Sequence, residues 1–248
     1  MEKKSIKAVI LAAGTASRLR PLTSDTPKCL LKIGKRTLLE RSMDALIAAG
    51  VGEFCIVTGY LHGQIEDFVT SHYPSIKVTF IYNEVYDSTN NIYSLYLARP
   101  VAEGSEVLLL DSDLVYDPDI ARMVVSASDE NVLTLIRHEL GEEEMKVVVD
   151  DEGRIVEISK TCSPSAAVGE SLGIEKMGGA YTRALYEELE VMMKKEHLEN
   201  KFYELAFERL IRKGHSFRIL DVSNCFSCEL DTVEDFENAK NLIPEKLF

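Results

Sequence analysis

The first patterned stretch of the chain, residues 6–13 (IKAVILAA), is apolar almost without interruption and shows no alternation. A short Val/Ile/Leu-rich run of this kind suits a strand buried on both faces, as in a parallel sheet. Residues 37–49 (TLLERSMDALIAA) repeat their apolar positions every three to four residues. Thr37 and Glu40 stand at capping-box spacing and Gly50 follows, so the pattern predicts a helix over 37–49. The alternation continues with a strand at 53–59 (EFCIVTG), a helix at 61–73, a strand at 76–82 (IKVTFIY) and a third buried strand at 105–113 (SEVLLLDSD). A βαβαβ order of this sort predicts an α/β fold with an open, mostly parallel sheet.

Beyond Asp113 the rhythm changes. Asp117 and Pro118 suit the N-cap and first position of a short helix. Residues 131–137, 145–160 and 177–182 (MGGAYT) read as strands, with DDEG as a hairpin turn inside the second. Helices are predicted over 183–197 and 202–213, then a strand at 216–222. A last helix follows from 233, with Thr232 and Asp235 as its capping pair. With no repeat and no Pro/Gly/Ser linker, residues 1–248 are expected to form one domain whose mixed second half closes over a site in the first.

Composition narrows the classes of partner. The 248 residues are 46% hydrophobic and 28% charged, an ordinary globular balance. A formal charge of −13 leaves no broad basic face, which argues against nucleic acid and against anionic membranes. An anionic ligand would have to be met by a local cluster of cations. The lysines before the first apolar run mimic a signal peptide, but an h-region needs ~7 to 15 apolar residues and a membrane span ~18, and neither is present. A cytoplasmic protein is expected. The five cysteines are odd in number and scattered, so free thiols are expected, with Cys225 and Cys228 read as part of a buried strand rather than a metal site.

The candidate chemistry lies just after the first strand. In an open α/β sheet ligands sit beyond the carboxyl ends of the strands. There, Ala12, Ala13 and Gly14 allow close backbone approach, turn N–H groups can cradle phosphate oxygens, and Arg18 and Lys28 supply charge. These features suit a polyphosphate. Asp111 and Asp113 share one face at another strand end, and Asp231 stands just before the last helix.

The string LAAGTASRLRPLTSDTPKCLLKIG resembles the LAAGxGxRLxPLTxxxPKxL motif of the nucleotidyltransferases that activate sugar phosphates and phosphocholine. The resemblance implies their Rossmann-like fold, with helices flanking a mixed, mostly parallel central sheet. It also implies that Leu11, Ala12, Ala13, Gly14, Thr15, Ala16, Ser17 and Arg18 hold the nucleotide, helped by Gly59, Asn83, Asn90 and Asp111. Arg18 would grip the triphosphate and Lys28 bridge the reacting phosphates, while Asp113 and Asp231 would hold Mg²⁺. Ala16 departs from the motif's second glycine; a left-handed backbone there would cost alanine about 1 kcal/mol. Lys160, in GRIVEISK, resembles the lysine that binds the acceptor phosphate in the family.

Residues 82–98 (YNEVYDSTNNIYSLYLA) resemble the matching stretch of the LicC-type cytidylyltransferases, which make CDP-choline or CMP-aminoethylphosphonate. CTP and a small phosphate or phosphonate acceptor are therefore the expected substrates. With no Trp in the chain, a choline group would rely on Tyr116, Tyr181 and Phe226, whereas a primary ammonium would use Glu175 and Glu229. The NNxYSL run tips the expectation slightly towards phosphocholine. A sugar-1-phosphate nucleotidyltransferase would share the phosphate and metal residues, and DSD alone also fits a metal-dependent glycosyltransferase. Monomer and homodimer both remain open.

Overall fold

In the computed structural model, which describes residues 6–247, the first apolar run forms strand β1 (Lys7–Ala12). It lies between β4 (Val107–Asp111) and β2 (Glu53–Thr58), and β3 (Lys77–Tyr82) pairs with β2 beyond. All of these pairings are parallel. Helices α1 (Leu38–Ala48), α2 (His62–His72) and α3 (Asn91–Leu97) make the connections. The capping box of α1 forms as predicted. Thr37 Oγ1 accepts from the Glu40 N–H at 3.0 Å and Glu40 Oε2 accepts from the Thr37 N–H at 3.2 Å. Because successive strand residues point to opposite faces, β1 divides two cores. Ala8, Ile10 and Ala12 pack with Leu39 and Ile65 of α1 and α2, and Val9 and Leu11 pack with Leu95 of α3.

The second half adds α4 (Pro118–Ser126), β5 (Val132–Ile136), β6 (Lys146–Val149), β7 (Ile155–Ser159), β8 (Gly169–Met177), α5 (Gly179–Lys194), α6 (Glu204–Arg212), β9 (Arg218–Asp221) and α7 (Val233–Leu242). Among the described residues, nine strands join in one sheet, mostly antiparallel in this half. Strand β8 runs against β4 through Ile174–Met177 and against β6 at Gly169 and Glu170. Between these pairings the ladder is interrupted, with the Ser171 N–H donating to the Met145 carbonyl at 3.0 Å. Gly173 (φ +77°) lies there, and a Cβ on it would stand 2.9 Å from Asp111 Oδ2. Glycine thus lets β8 pass close to the end of β4.

One predicted strand is corrected. Residues 177–182 are not a strand: β8 ends at Met177 and α5 begins at Gly179. The paired glycines obscured a helical spacing, in which Tyr181, Leu185 and Tyr186 share a buried face with Leu189. Thr182 ties this first turn down, donating to the Ser105 carbonyl at 3.0 Å and accepting from the Gly104 N–H at 3.1 Å.

The chain's far end returns to its beginning. Residues Ser227–Glu229 pair antiparallel with Leu114–Tyr116, and the Leu230 N–H donates to the Asp113 carbonyl at 3.2 Å. Leu230, Phe236, Ala239 and Ile243 then pack on Leu19, Leu31 and Ile33, so α7 fastens the loop that follows β1. The buried strand expected to hold both cysteines is corrected as well: Cys228 lies within this ribbon and Cys225 in the turn before it, both half-buried and neither in a disulfide. No helix among the described residues is long and apolar enough to cross a membrane.

Candidate active site

A cleft of about 390 Å³ opens beyond the carboxyl ends of β1 and β4. That volume is in the range of small-molecule sites. Its near wall is the turn that leaves β1, with Leu11, Ala12, Ala13, Gly14, Ala16 and Arg18 lining it. Gly59 does not line the cleft. It buttresses the turn from behind, where a Cβ would fall 2.4 Å from the Ala13 carbonyl oxygen, so any side chain would displace the wall. Thr15 and Ser17 do not line it either. At Ala16 the backbone enters the left-handed region (φ 46°, ψ 48°), and the turn leaves Ser17 exposed.

The alanine in the motif's glycine position therefore does occupy a conformation that L-residues resist, at a cost of about 1 kcal/mol. Urea unfolding should show Ala16→Gly as neutral or mildly stabilising, because glycine removes this strain while losing more entropy on folding. A β-branched Ala16→Val should cost about 1–2 kcal/mol. Equal loss of stability in both variants would refute the strain argument.

Charge gathers on Lys28, at the start of a short 3₁₀ turn. Its Nζ lies 2.9 Å from Asp113 Oδ2 and 2.8 Å from Asp231 Oδ1, and Arg18 reaches Asp231 Oδ2 at 2.7 Å. Burial alone would lower the Lys28 pKa, but the two carboxylates outweigh it and raise it, so the ammonium persists. For Asp231 burial pulls upward, yet Lys28 and Arg18 hold the carboxyl below its usual range. Glu229 also lines the cleft, and burial followed by the Asp113 charge pushes it up to about 8. Asp111 lies deeper. It accepts from the Tyr203 hydroxyl at 3.0 Å, and burial, then Asp113, Glu204 and Glu175, raise its pKa well above normal.

Asn83 and Asn90 both line the cleft while serving the backbone. Asn83 donates to Thr89 Oγ1 at 3.1 Å and Ser94 Oγ at 3.3 Å and accepts from the Val85 N–H at 3.1 Å, which shapes the 83–94 segment. Asn90 caps α3, its Oδ1 accepting from the Asn91 N–H at 2.7 Å.

A family model described as Nucleotidyl transferase matches residues 7–159. The chain belongs to the nucleotidyl transferase family. The transferase is 25% identical over 252 residues to the CTP:phosphoglutamine cytidylyltransferase of Campylobacter jejuni, with 94% of this chain and 98% of that protein covered. It is 38% identical over 109 residues to the choline-phosphate cytidylyltransferase of Streptococcus pneumoniae, a match covering 44% of this chain and 46% of that one. The solved structure of CTP:phosphocholine cytidylyltransferase from Streptococcus pneumoniae (LicC) superposes with a TM-score of 0.80 at 22% identity, covering 97% and 100% of the two chains. At that identity the likeness speaks to the fold.

The matched span of the transferase includes Arg18, Lys28 and Asp113, whereas Lys160 and Asp231 lie beyond it. Lys160 follows β7 and lines the cleft; its Nζ stands 5.1 Å from the Phe202 ring centroid and 3.6 Å from Glu143 Oε2. Two expected acceptor residues do not reach the cleft. Glu175 is fully buried in β8, where β4 and β5 flank it on both edges, and Tyr181 is buried in α5 against Phe207 and Phe217. The aromatic box is corrected likewise: Tyr116 belongs to the core and Phe226 packs with the Leu19 cluster. Tyr86 and Phe202 are the aromatic side chains that line this cleft, joined by Glu170 and Glu204, none of which the motifs singled out. Glu204 gave no local signal, because an acid in the first turn of a helix is an ordinary placement.

Proposed function

We propose that this transferase moves CMP from CTP to a small phosphate or phosphonate acceptor and releases pyrophosphate. The observation that carries the reading is the Lys28 ammonium, held at 2.9 and 2.8 Å between Asp113 and Asp231 in a cleft bounded by the 11–18 turn and Lys160. In a chain of net charge −13, its cations converge where phosphates would lie. The cytidylyltransferase relatives and the resemblance of residues 82–98 to the cytidylyltransferase branch support CTP as the nucleotide.

The reaction asks little covalent chemistry of the protein. An acceptor phosphate or phosphonate oxygen, already ionised, attacks the α-phosphorus in line. The new P–O bond forms as the bond to the bridging oxygen breaks, and its electron pair leaves with pyrophosphate. No general base is needed. Arg18 and Lys28 neutralise the charge that crowds the transition state, and Lys160 holds the acceptor. Asp113 and Asp231 are the residues that would hold Mg²⁺. Both are hard oxygen donors already gathered on a single cation, the Lys28 ammonium. Mg²⁺ takes one or two carboxylates and completes its shell with phosphate oxygens and water, so two aspartates suffice. Such an ion would supply charge neutralisation and alignment of the phosphates. The free thiols and a nucleoside triphosphate substrate suit a reducing cytoplasm.

Pyrophosphate release across the four nucleoside triphosphates, each paired with choline phosphate, aminoethylphosphonate or a sugar 1-phosphate, tests the proposal. CTP with one of the first two acceptors should dominate, and EDTA should abolish the signal. A glycosyl nucleotide as the main product would move the chain to the sugar branch, and full activity in EDTA would remove the metal.

A further inference from the structure

Near Lys160 the cleft forms a chamber whose polar atoms are out of balance. Its walls are Met145, Phe202, Ser171, Gly173, Glu170 and Glu204. Glu204, which opens α6, is 8% exposed, and its Oε2 has no hydrogen-bond donor. Behind it Glu175 is fully buried, with Oε2 likewise unserved, and Asp111 lies beside both. The side-chain donors that reach these carboxyls are the Tyr203 hydroxyl, 3.0 Å from Asp111, and the Ser171 hydroxyl, 3.3 Å from Glu175 Oε1. Lys28 is paired with Asp113 and Asp231, and Lys160, which faces the Phe202 ring and Glu143, acts on Glu204 through its charge and makes no hydrogen bond to it. A buried acceptor without a donor is costly, so the chamber is built for a ligand that brings donors and positive charge together.

Resting on the cytidylyl-transfer reading above, we infer that the acceptor is an aminoalkyl phosphate or phosphonate with a primary ammonium, and that Glu204 receives this ammonium and sets acceptor specificity. A primary ammonium carries three N–H donors and a full charge. A quaternary ammonium has no N–H and depends on aromatic walls. Here one aromatic side chain, Phe202, stands at the acceptor end, 44% exposed and already facing the Lys160 ammonium. Tyr181, which would have supplied a second wall, is sealed in the core. Sugar hydroxyls bring donors without charge, and each adds an acceptor oxygen to a chamber already rich in them. Burial pushes Glu204 up to about 7, opposed by its own backbone N–H and by Lys160, so an arriving cation finds a carboxyl that ionises readily at neutral pH.

The experiment uses the full chain with CTP and equal concentrations of 2-aminoethyl phosphate, its N,N,N-trimethyl analogue and ethyl phosphate, with the CMP adducts identified by mass. The wild type should favour the primary amine over the other two by at least about tenfold in kcat/KM. Glu204→Gln should lower the primary-amine value chiefly through KM, so that the ratio between amine and trimethyl acceptors collapses. A purely structural role for Glu204 would lower all acceptors in parallel, and that result, or a trimethyl acceptor equal to or better than the amine, overturns the inference while leaving cytidylyl transfer intact. Absence of a CMP adduct from every acceptor overturns the transfer reading and the inference with it. The wild-type panel decides between amine and trimethyl acceptors even if the variant fails to fold.

Discussion

Lys28→Ala is expected to lower kcat by about a hundredfold or more, ~2.7 kcal/mol of barrier, while KM for CTP moves by only a few-fold. The reason is where the charge sits. The Lys28 Nζ is held at 2.9 and 2.8 Å by carboxylates from two distant segments of the chain, which fixes it where it would meet phosphate oxygens. Negative charge at those oxygens grows as the α-phosphorus is attacked, so an ammonium placed there does more for the transition state than for the bound nucleotide. Removing it also leaves Asp113 without its cation, and Asp231 with Arg18 alone, beside Glu229, whose carboxyl is already pushed up to about 8. Steady-state kinetics on the variant checks this. A change confined to KM would make Lys28 a ground-state binder.

Asp231→Asn should be nearly as damaging, with turnover again down by about a hundredfold. The amide keeps the shape of the carboxylate and loses its charge, so Lys28 and Arg18 lose a shared anchor. The helix behind it should stand, because the α7 cap belongs to Thr232 and Asp235, whose reciprocal bonds of 3.1 and 2.8 Å do not involve the Asp231 side chain. A modest fall in thermal stability at neutral pH, from loss of the two ion pairs, beside a far larger loss of activity is the expected pair of results. An Asp231→Asn enzyme of normal turnover would remove this residue from the site. The sign of the pH effect follows from the lowered Asp231 pKa. A carboxyl depressed in the folded state contributes stability that is complete above the ordinary aspartate value of about 3.9 and is lost as pH falls through the folded value. Over the neutral range this ion pair should give no limb to a pH–rate profile.

The parts of the site that could be read from the sequence are those written locally. A small-residue turn after an uninterrupted apolar run, cations within the next twenty residues, and two aspartates at a strand end need only periodicity and the rule that ligands sit at strand carboxyl ends. Arg18, Lys28 and Asp113 lie on the cleft accordingly. Asp231 is different. Nothing in its own neighbourhood says which strand end it will face, and only the family resemblance placed it. Glu175 and Tyr181 failed for a physical reason: whether an acid on a strand or a tyrosine after two glycines meets solvent depends on what packs beside it. For Glu175 that is a strand on each edge, and for Tyr181 it is Phe207 and Phe217. The acceptor end was the least legible, because Lys160, Phe202 and Glu204 come from separate segments and are brought together by tertiary packing alone.

The contact between Arg18 and Asp231 spans 213 positions of the chain. On a ribosome the four parallel strands and the phosphate turn are all translated well before Asp231 leaves the exit tunnel. A nascent chain at that stage can have its nucleotide wall in place and still lack the carboxylate that anchors both cations. Competence for turnover should therefore come later than the nucleotide wall, with the synthesis of the segment that carries Asp231.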